Sequence, residues 1–210
     1  MTKEEVIKEY RVREILEAAR RVMARYGMQG TTVDRVAEEA KVAKGTIYLY
    51  FDTKDELVNA AVLEGVREMV AETIALDDPS IPPLERIRKL ILTQFRIQAS
   101  NQDFLKTLII GNSLDIELES EAGRKFMQVY AGHLDFVASV LQNAIDRGAI
   151  RPIDPQFAAF MLGEMVTGSL RRRLLKLASS PIESDADAVV ELFLKGIAAI
   201  QESFEREAID

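Results

Sequence analysis

Apolar residues recur at helical spacing along almost the whole chain, and no segment shows strand-like alternation closed by an Asn-Gly or Asp-Gly turn. A chain written this way folds as a packing of helices, each burying its apolar stripe against the others. The fold class read from the sequence is all-α, with about nine helices in two parts: an N-terminal three-helix head and a larger helical-bundle body.

The stops and caps divide the pattern. Val12, Ile15, Leu16, Ala19, Val22, Met23 and Tyr26 form one stripe on a helix over residues 10–26, and Gly27 stops it. Thr31-Thr32 caps a short second helix with Val33, Val36, Ala37 and Ala40 inward. The link 41–45 leads into another short helix over 46–51, with Ile47 and Phe51 on its inner face; two short helices joined so tightly make a helix-turn-helix. Thr53-Lys54-Asp55-Glu56 is a capping box opening a fourth helix with Leu57, Val58, Ala61, Val62, Val66, Met69 and Val70 inward. The breaker 77–83 follows, then helices over 84–100, 102–112, 120–147, 155–177 and, from Ser184 or Asp185, to about 205. Residues 9–69 are the expected DNA-binding head and 70–210 the expected body.

The charge supports that division. The net charge of −7 is unusual for a nucleic-acid binder, but residues 1–55 hold 11 Lys and Arg against 10 Asp and Glu, and the rest holds 16 against 24. If one segment touches DNA, it is the first quarter. The chain has no cysteine, so it can build neither a disulfide nor a thiolate metal site. It has one histidine, no Gly-rich phosphate loop and no His-Glu-x-x-His pattern, so neither catalysis, a metal nor a cofactor is expected. Asp115 and Glu117 are the nearest thing to an acid-base pair, and in so acidic a chain they read as surface groups. The charged N-terminus and the lack of 18 uninterrupted apolar residues point to the cytoplasm.

The stretch GTTVDRVAEEAKVAKGTIYLYFDTKDEL, residues 30–57, resembles the signature of the tetracycline-repressor (TetR) family of bacterial regulators. It departs from that pattern at Lys41, where glycine is common, at Ala43, where serine is common, and at Tyr50, where histidine is common. A recognition helix enters the major groove, some side chains reading base edges and others clamping phosphates. With Ile47 and Phe51 inward, the groove-facing positions of the motif 32–51 are Lys44, Gly45, Thr46, Tyr48, Leu49 and Tyr50. Gly45 allows close backbone approach, Thr46 can bond a base or touch a thymine methyl, and the two tyrosines can donate to phosphate. Lys54 and Thr32 sit at helix starts, where an anion is favoured. The plainer readings are that Thr32 and Thr53 are only caps and that Tyr48 is packing. The Arg11, Arg13, Arg20, Arg21 and Arg25 series reads as a solvated face, with one or two arginines reaching phosphate.

The body carries large apolar and soft residues where a ligand pocket between helices would take them: Phe95, Phe104, Leu108, Phe126, Tyr130, Met161 and Met165, with Asn112 and His133 as polar contacts and Gln94, Gln98 and Thr167 beside them. Most of these also read as ordinary core. The basic run Arg171-Arg172-Arg173 with Lys176 closes a helix, where the dipole favours cations, so it reads as structural. The last two helices are more apolar than one stripe requires. The resemblance implies that they pair with their copies, placing Phe157, Phe160, Leu192, Phe193, Gly196, Ile197 and Ile200 at a dimer seam. The expected function is a sequence-specific DNA-binding regulator, a homodimeric repressor released from a palindromic operator by a small hydrophobic effector. The alternative is a helical small-molecule-binding or scaffold protein without DNA activity.

Overall fold

The computed structural model describes residues 2–110 and 119–197, so Asn112, Asp115, Glu117 and Ile200 lie outside the described residues. These residues hold nine helices and no strand: α1 Lys3–Gly30, α2 Val33–Ala40, α3 Lys44–Tyr48, α4 Lys54–Ala75, α5 Pro83–Ser100, α6 Gln102–Ile110, α7 Glu121–Asp146, α8 Pro155–Leu174 and α9 Ile182–Ile197. None of them is long and apolar enough to cross a membrane.

Caps rather than apolar residues set most of the ends. α1 begins seven residues before the expected start at residue 10 because Thr2 and Glu5 form a capping box, the Thr2 amide donating to Glu5 Oε2 at 2.7 Å. Val6, Ile7 and Tyr10 on this extension stay 49%, 56% and 60% exposed. Gly27, at φ 71°, breaks the helix where the sequence places the stop. One more turn follows, and buried Thr31 closes it by donating from Oγ1 to the Gly27 carbonyl at 2.8 Å. Tyr26, read as the end of the stripe, is 52% exposed instead.

At the start of α4, Thr53 Oγ1 accepts from the Glu56 amide at 3.0 Å, while the Glu56 carboxylate accepts from the amide of Asp52, one residue before the cap. Arg86 of α5 reaches back to Asp77 just past α4, Nε and Nη2 donating at 2.9 and 2.6 Å, which pins the corner between them. α9 starts at Ile182, two residues before the expected cap. Asp185 is not that cap but a buried acceptor for Arg173 at 2.7 Å, and Arg173 also donates to the carbonyls of Ser180 and Pro181. Two arginines of the basic run thus tie α8 to Asp185 of α9, Arg173 and, at 3.7 Å, Arg172.

Two hydrophobic clusters result. The head cluster gathers Ile15, Met23, Val36, Ile47, Phe51, Leu57 and Val62 from α1 to α4. The body cluster gathers Ile87, Ile91, Leu141, Leu162, Val189 and Phe193 from α5, α7, α8 and α9. Burying each large aliphatic side chain contributes about 1.5–3 kcal/mol. The division does not follow the chain, because Phe104 of α6 is buried in the head cluster and Leu108 packs against it. Phe104 fits where α4 has Gly65: a Cβ there would lie 2.8 Å from the Phe104 ring and 3.0 Å from Arg20 Cδ.

Candidate nucleic-acid interface

The turn between α2 and α3 is built from the chain's own exception to the family pattern. Lys41 takes the left-handed conformation, φ 55°, that a glycine adopts without cost. Its amide donates to the Glu38 carbonyl at 3.1 Å, and the Val42 amide donates to the Ala37 carbonyl at 3.0 Å, so α2 ends in a closed motif over half-buried Val42. α3 follows with no side-chain cap; Ile47 is fully buried and Phe51 nearly so, which fixes its angle to the head.

What remains outward is the set the sequence assigns to the groove, with one exception. Leu49 is 77% and Tyr48 47% exposed, Lys44 and Gly45 are exposed, and Thr46 is half-buried. Nothing lies within 4 Å of where a Gly45 Cβ would sit, so the glycine leaves open space toward a docked partner. Tyr50 is instead half-buried against the head cluster, so packing accounts for it. Thr32 is both the cap of α2, accepting from the Arg35 amide at 3.3 Å, and exposed, leaving its hydroxyl hydrogen to donate. Lys54, half-buried, is the first residue of α4.

The head's cations separate into two groups. Arg21 and Arg25 both reach Glu39, each at 2.7 Å, and hold its carboxyl below the usual carboxylate range; Arg11 pairs with Glu14 at 3.1 Å and Arg20 with Glu68. The Glu39 pairs lace α1 to α2 and the Glu68 pair laces α1 to α4, while the Arg11 pair lies within α1. Lys44 pairs with Asp34 at 2.8 Å, and the Asp34 carboxylate raises its pKa. Around the helix-turn-helix, Arg35, Lys41 and Lys54 have no carboxylate partner among the described residues. Arg35 is held in place all the same, its guanidinium 4.3 Å above the Tyr26 ring and Nη1 donating to the Gly30 carbonyl. The sequence reading misses Arg35 and Asp34. Both contacts join residues on opposite sides of a break, beyond the reach of helical spacing.

In the body the structure scatters the ligand candidates. Phe95 is 4% exposed inside the body cluster, Phe104 and Leu108 belong with the head, and Met161 is 41% exposed on the surface. Phe126, Tyr130 and His133 are half-buried at i, i+4 and i+7 along α7, and Met165 packs against the body cluster. Among the described residues, two buried side-chain polar atoms have no hydrogen-bond partner: Gln98 Oε1 and His133 Nδ1. Burial holds the His133 pKa below its ordinary value and pushes that of Tyr130 up. At the expected seam, Phe157, Phe160 and Leu192 are 58%, 43% and 66% exposed and Gly196 is exposed, but Phe193 and Ile197 are 6% and 4% exposed in the chain's own core. The two last cannot serve a seam without leaving that core.

A model of the bacterial regulatory proteins of the tetR family matches residues 15–61. The uncharacterized HTH-type transcriptional regulator YhgD of Bacillus subtilis is 30% identical over 149 residues, 70% of this chain and 76% of that one. Among solved structures, the regulator FadR of Bacillus subtilis in complex with stearoyl-CoA aligns at TM-score 0.72 and 22% identity, covering 88% of this chain and 98% of that one. AibR in complex with isovaleryl coenzyme A and operator DNA aligns at TM-score 0.68 and 23% identity, covering 87% and 97%. The matched segment spans the buried stripe of α1, the turn at Lys41, the recognition helix and the cap of α4. The chain therefore belongs to the tetR family of bacterial regulatory proteins and is a DNA-binding transcriptional regulator.

Proposed function

We propose that the protein is a homodimeric repressor that leaves its operator when the body, residues 70–210, takes up an acyl thioester of coenzyme A. The observation that carries this reading is the pair of orphaned atoms, Gln98 Oε1 and His133 Nδ1. A buried polar atom without a partner costs about 1–3 kcal/mol, and a ligand that supplies the missing bonds recovers it. The two lie on α5 and α7, helices that pack together around apolar residues, where a mainly apolar ligand with a few polar contacts is at home. The coenzyme A thioesters held by two proteins of the same fold supply the class. Phe126, Tyr130 and Met165 are the apolar contacts proposed beside them.

The head, residues 9–69, reads DNA through Thr32, Lys44, Gly45, Thr46, Tyr48, Leu49 and Lys54. Phe157, Phe160, Leu192 and Gly196 form the proposed seam, because so large an uncovered apolar face is rare on a monomer. A dimer reads two half-sites about 34 Å apart, so a small change in head separation spoils simultaneous docking. A repressor on DNA works in the cytoplasm. The test is a mobility shift with the DNA flanking its gene, titrated with stearoyl-CoA and with isovaleryl-CoA. Release by one or both is expected; a complex that neither dissolves refutes the effector class.

A further inference from the structure

Lys44 and Asp34 form a preassembled pair across the helix-turn-helix, Nζ lying 2.8 Å from one carboxylate oxygen and 2.9 Å from the other. The side chains stay 49% and 70% exposed, so the pair stands on the surface that carries α3. N-terminal residues of a recognition helix are those that meet base edges, and Lys44 is the first residue of α3. DNA docked on this helix meets Asp34 within one hydrogen bond of Lys44.

A carboxylate in that place faces a polyanion. It is tolerated only if it keeps its lysine or finds a donor on the DNA. We infer that Asp34 and Lys44 act as one unit that reads a C·G base pair in each half-site, a reading that rests on the DNA-binding function above.

The match is geometric and chemical. In the major groove a C·G pair sets the cytosine N4 amino group beside guanine O6. These two are already hydrogen-bonded to each other, so they lie about 2.9 Å apart, the spacing of the protein pair. Asp34 accepts the second N4 hydrogen while Lys44 donates to O6, and guanine N7 next to O6 offers the lysine a second acceptor. An A·T pair also puts a donor beside an acceptor, but its flanks are wrong. Adenine N7 turns an acceptor toward the carboxylate, and the thymine methyl crowds the ammonium. The sense of the pair is therefore set, cytosine under Asp34.

A plainer role exists for Asp34, as an acid in the first turn of α2. That role affects helix stability and leaves base preference alone. The deciding experiment selects binding sites from a random-sequence duplex library with the full-length protein and with its Asp34→Ala, Asp34→Asn and Lys44→Ala variants. The wild type is expected to enrich a half-site with one C·G position whose replacement by A·T weakens binding about 5- to 150-fold. Asp34→Ala and Lys44→Ala lose the preference at that position and keep it elsewhere. Asp34→Asn shifts it toward A·T, since an asparagine amide pairs with adenine N6 and N7. An unchanged site for Asp34→Ala overturns the inference, as does a uniform gain in affinity on all sequences, which marks Asp34 as mere phosphate repulsion. If the wild type enriches nothing, the DNA-binding reading fails with it.

Discussion

The head and the body treat apolar surface differently. In the head, α1 to α4 turn Ile15, Met23, Ile47, Leu57 and Val62 into one cluster that α6 closes with Phe104, while Tyr48 and Leu49 stand exposed on the helix-turn-helix and Val6, Ile7, Tyr10 and Tyr26 along α1. Four of its arginines hold carboxylates of the same chain, while Arg35, Lys41 and Lys54 have no carboxylate partner among the described residues. The body buries a larger cluster yet leaves Phe157, Phe160 and Leu192 uncovered and, among the described residues, Gln98 Oε1 and His133 Nδ1 buried without partners. A finished core with a small exposed reading surface is suited to rigid docking. Uncovered faces and unmet hydrogen bonds point to partners that arrive from outside.

The largest effect is expected where the body's two kinds of apolar residue stand side by side. Phe193→Glu drives a charge into the body cluster and costs about 4 kcal/mol or more, enough to unfold the protein. Leu192→Glu, one residue away on the exposed face, leaves a folded monomer. Circular dichroism melting and sedimentation of both variants separate the outcomes, and a dimeric Leu192→Glu protein moves the seam elsewhere.

In the head, Ile47→Ala removes a fully buried side chain from the helix that carries the reading surface and is expected to cost about 2–5 kcal/mol in urea melting. DNA affinity should fall on every sequence alike, since α3 loses its anchor rather than a base contact. A loss confined to one sequence refutes the view that Ile47 only positions.

At the junction of the two regions, Gly65→Ala forces a methyl group against the Phe104 ring and is expected to cost about 1–3 kcal/mol, less a gain of about 0.5–1 kcal/mol from the better helix former. Phe104→Leu in the same chain should recover most of the loss. Independent effects in the double variant would show that α6 does not bear on α4 there.

The smallest effect is a pH slope. Burial keeps His133 below its ordinary pKa, so the unfolded chain binds the proton more readily than the folded one. Its contribution to stability is complete above about pH 6.5 and declines as the pH falls below that. His133→Gln should lower the melting temperature less than the wild type between pH 7 and pH 5. Parallel curves would place the imidazole in water.

The sequence reveals the parts of the fold that local chemistry decides. Gly27, Thr32, Thr53, Asp154-Pro155 and Gly148 act at or beside the breaks where they are expected, because a cap or a positive φ is a property of a few neighbouring residues. The inward faces of α2, α3 and the first half of α4 follow from spacing in the same way. What spacing does not give is which helix covers which. Phe104 looks like any pocket aromatic until α6 is seen to pack on α1 with Phe104 against Gly65 of α4, and Phe193 and Leu192 look alike until α9 is laid against α5. The early start of α1 hides for the opposite reason: a capping box extends a helix past its apolar stripe, and the periodicity stays silent. Arg35 over Tyr26 and Lys44 on Asp34 join residues across turns, so only the fold brings them together.

Under the proposed function the open, unsatisfied body and the closed head are coupled, and thermodynamic reciprocity tests that coupling. The affinity of stearoyl-CoA, or of isovaleryl-CoA, is measured by calorimetry for the free protein and for the protein saturated with its selected operator. Linkage requires DNA to weaken the thioester by the same factor by which the thioester weakens DNA, typically about 5- to 150-fold. A weakening of that size, matched in the reverse titration, is the predicted result; equal thioester affinities with and without DNA would contradict the account.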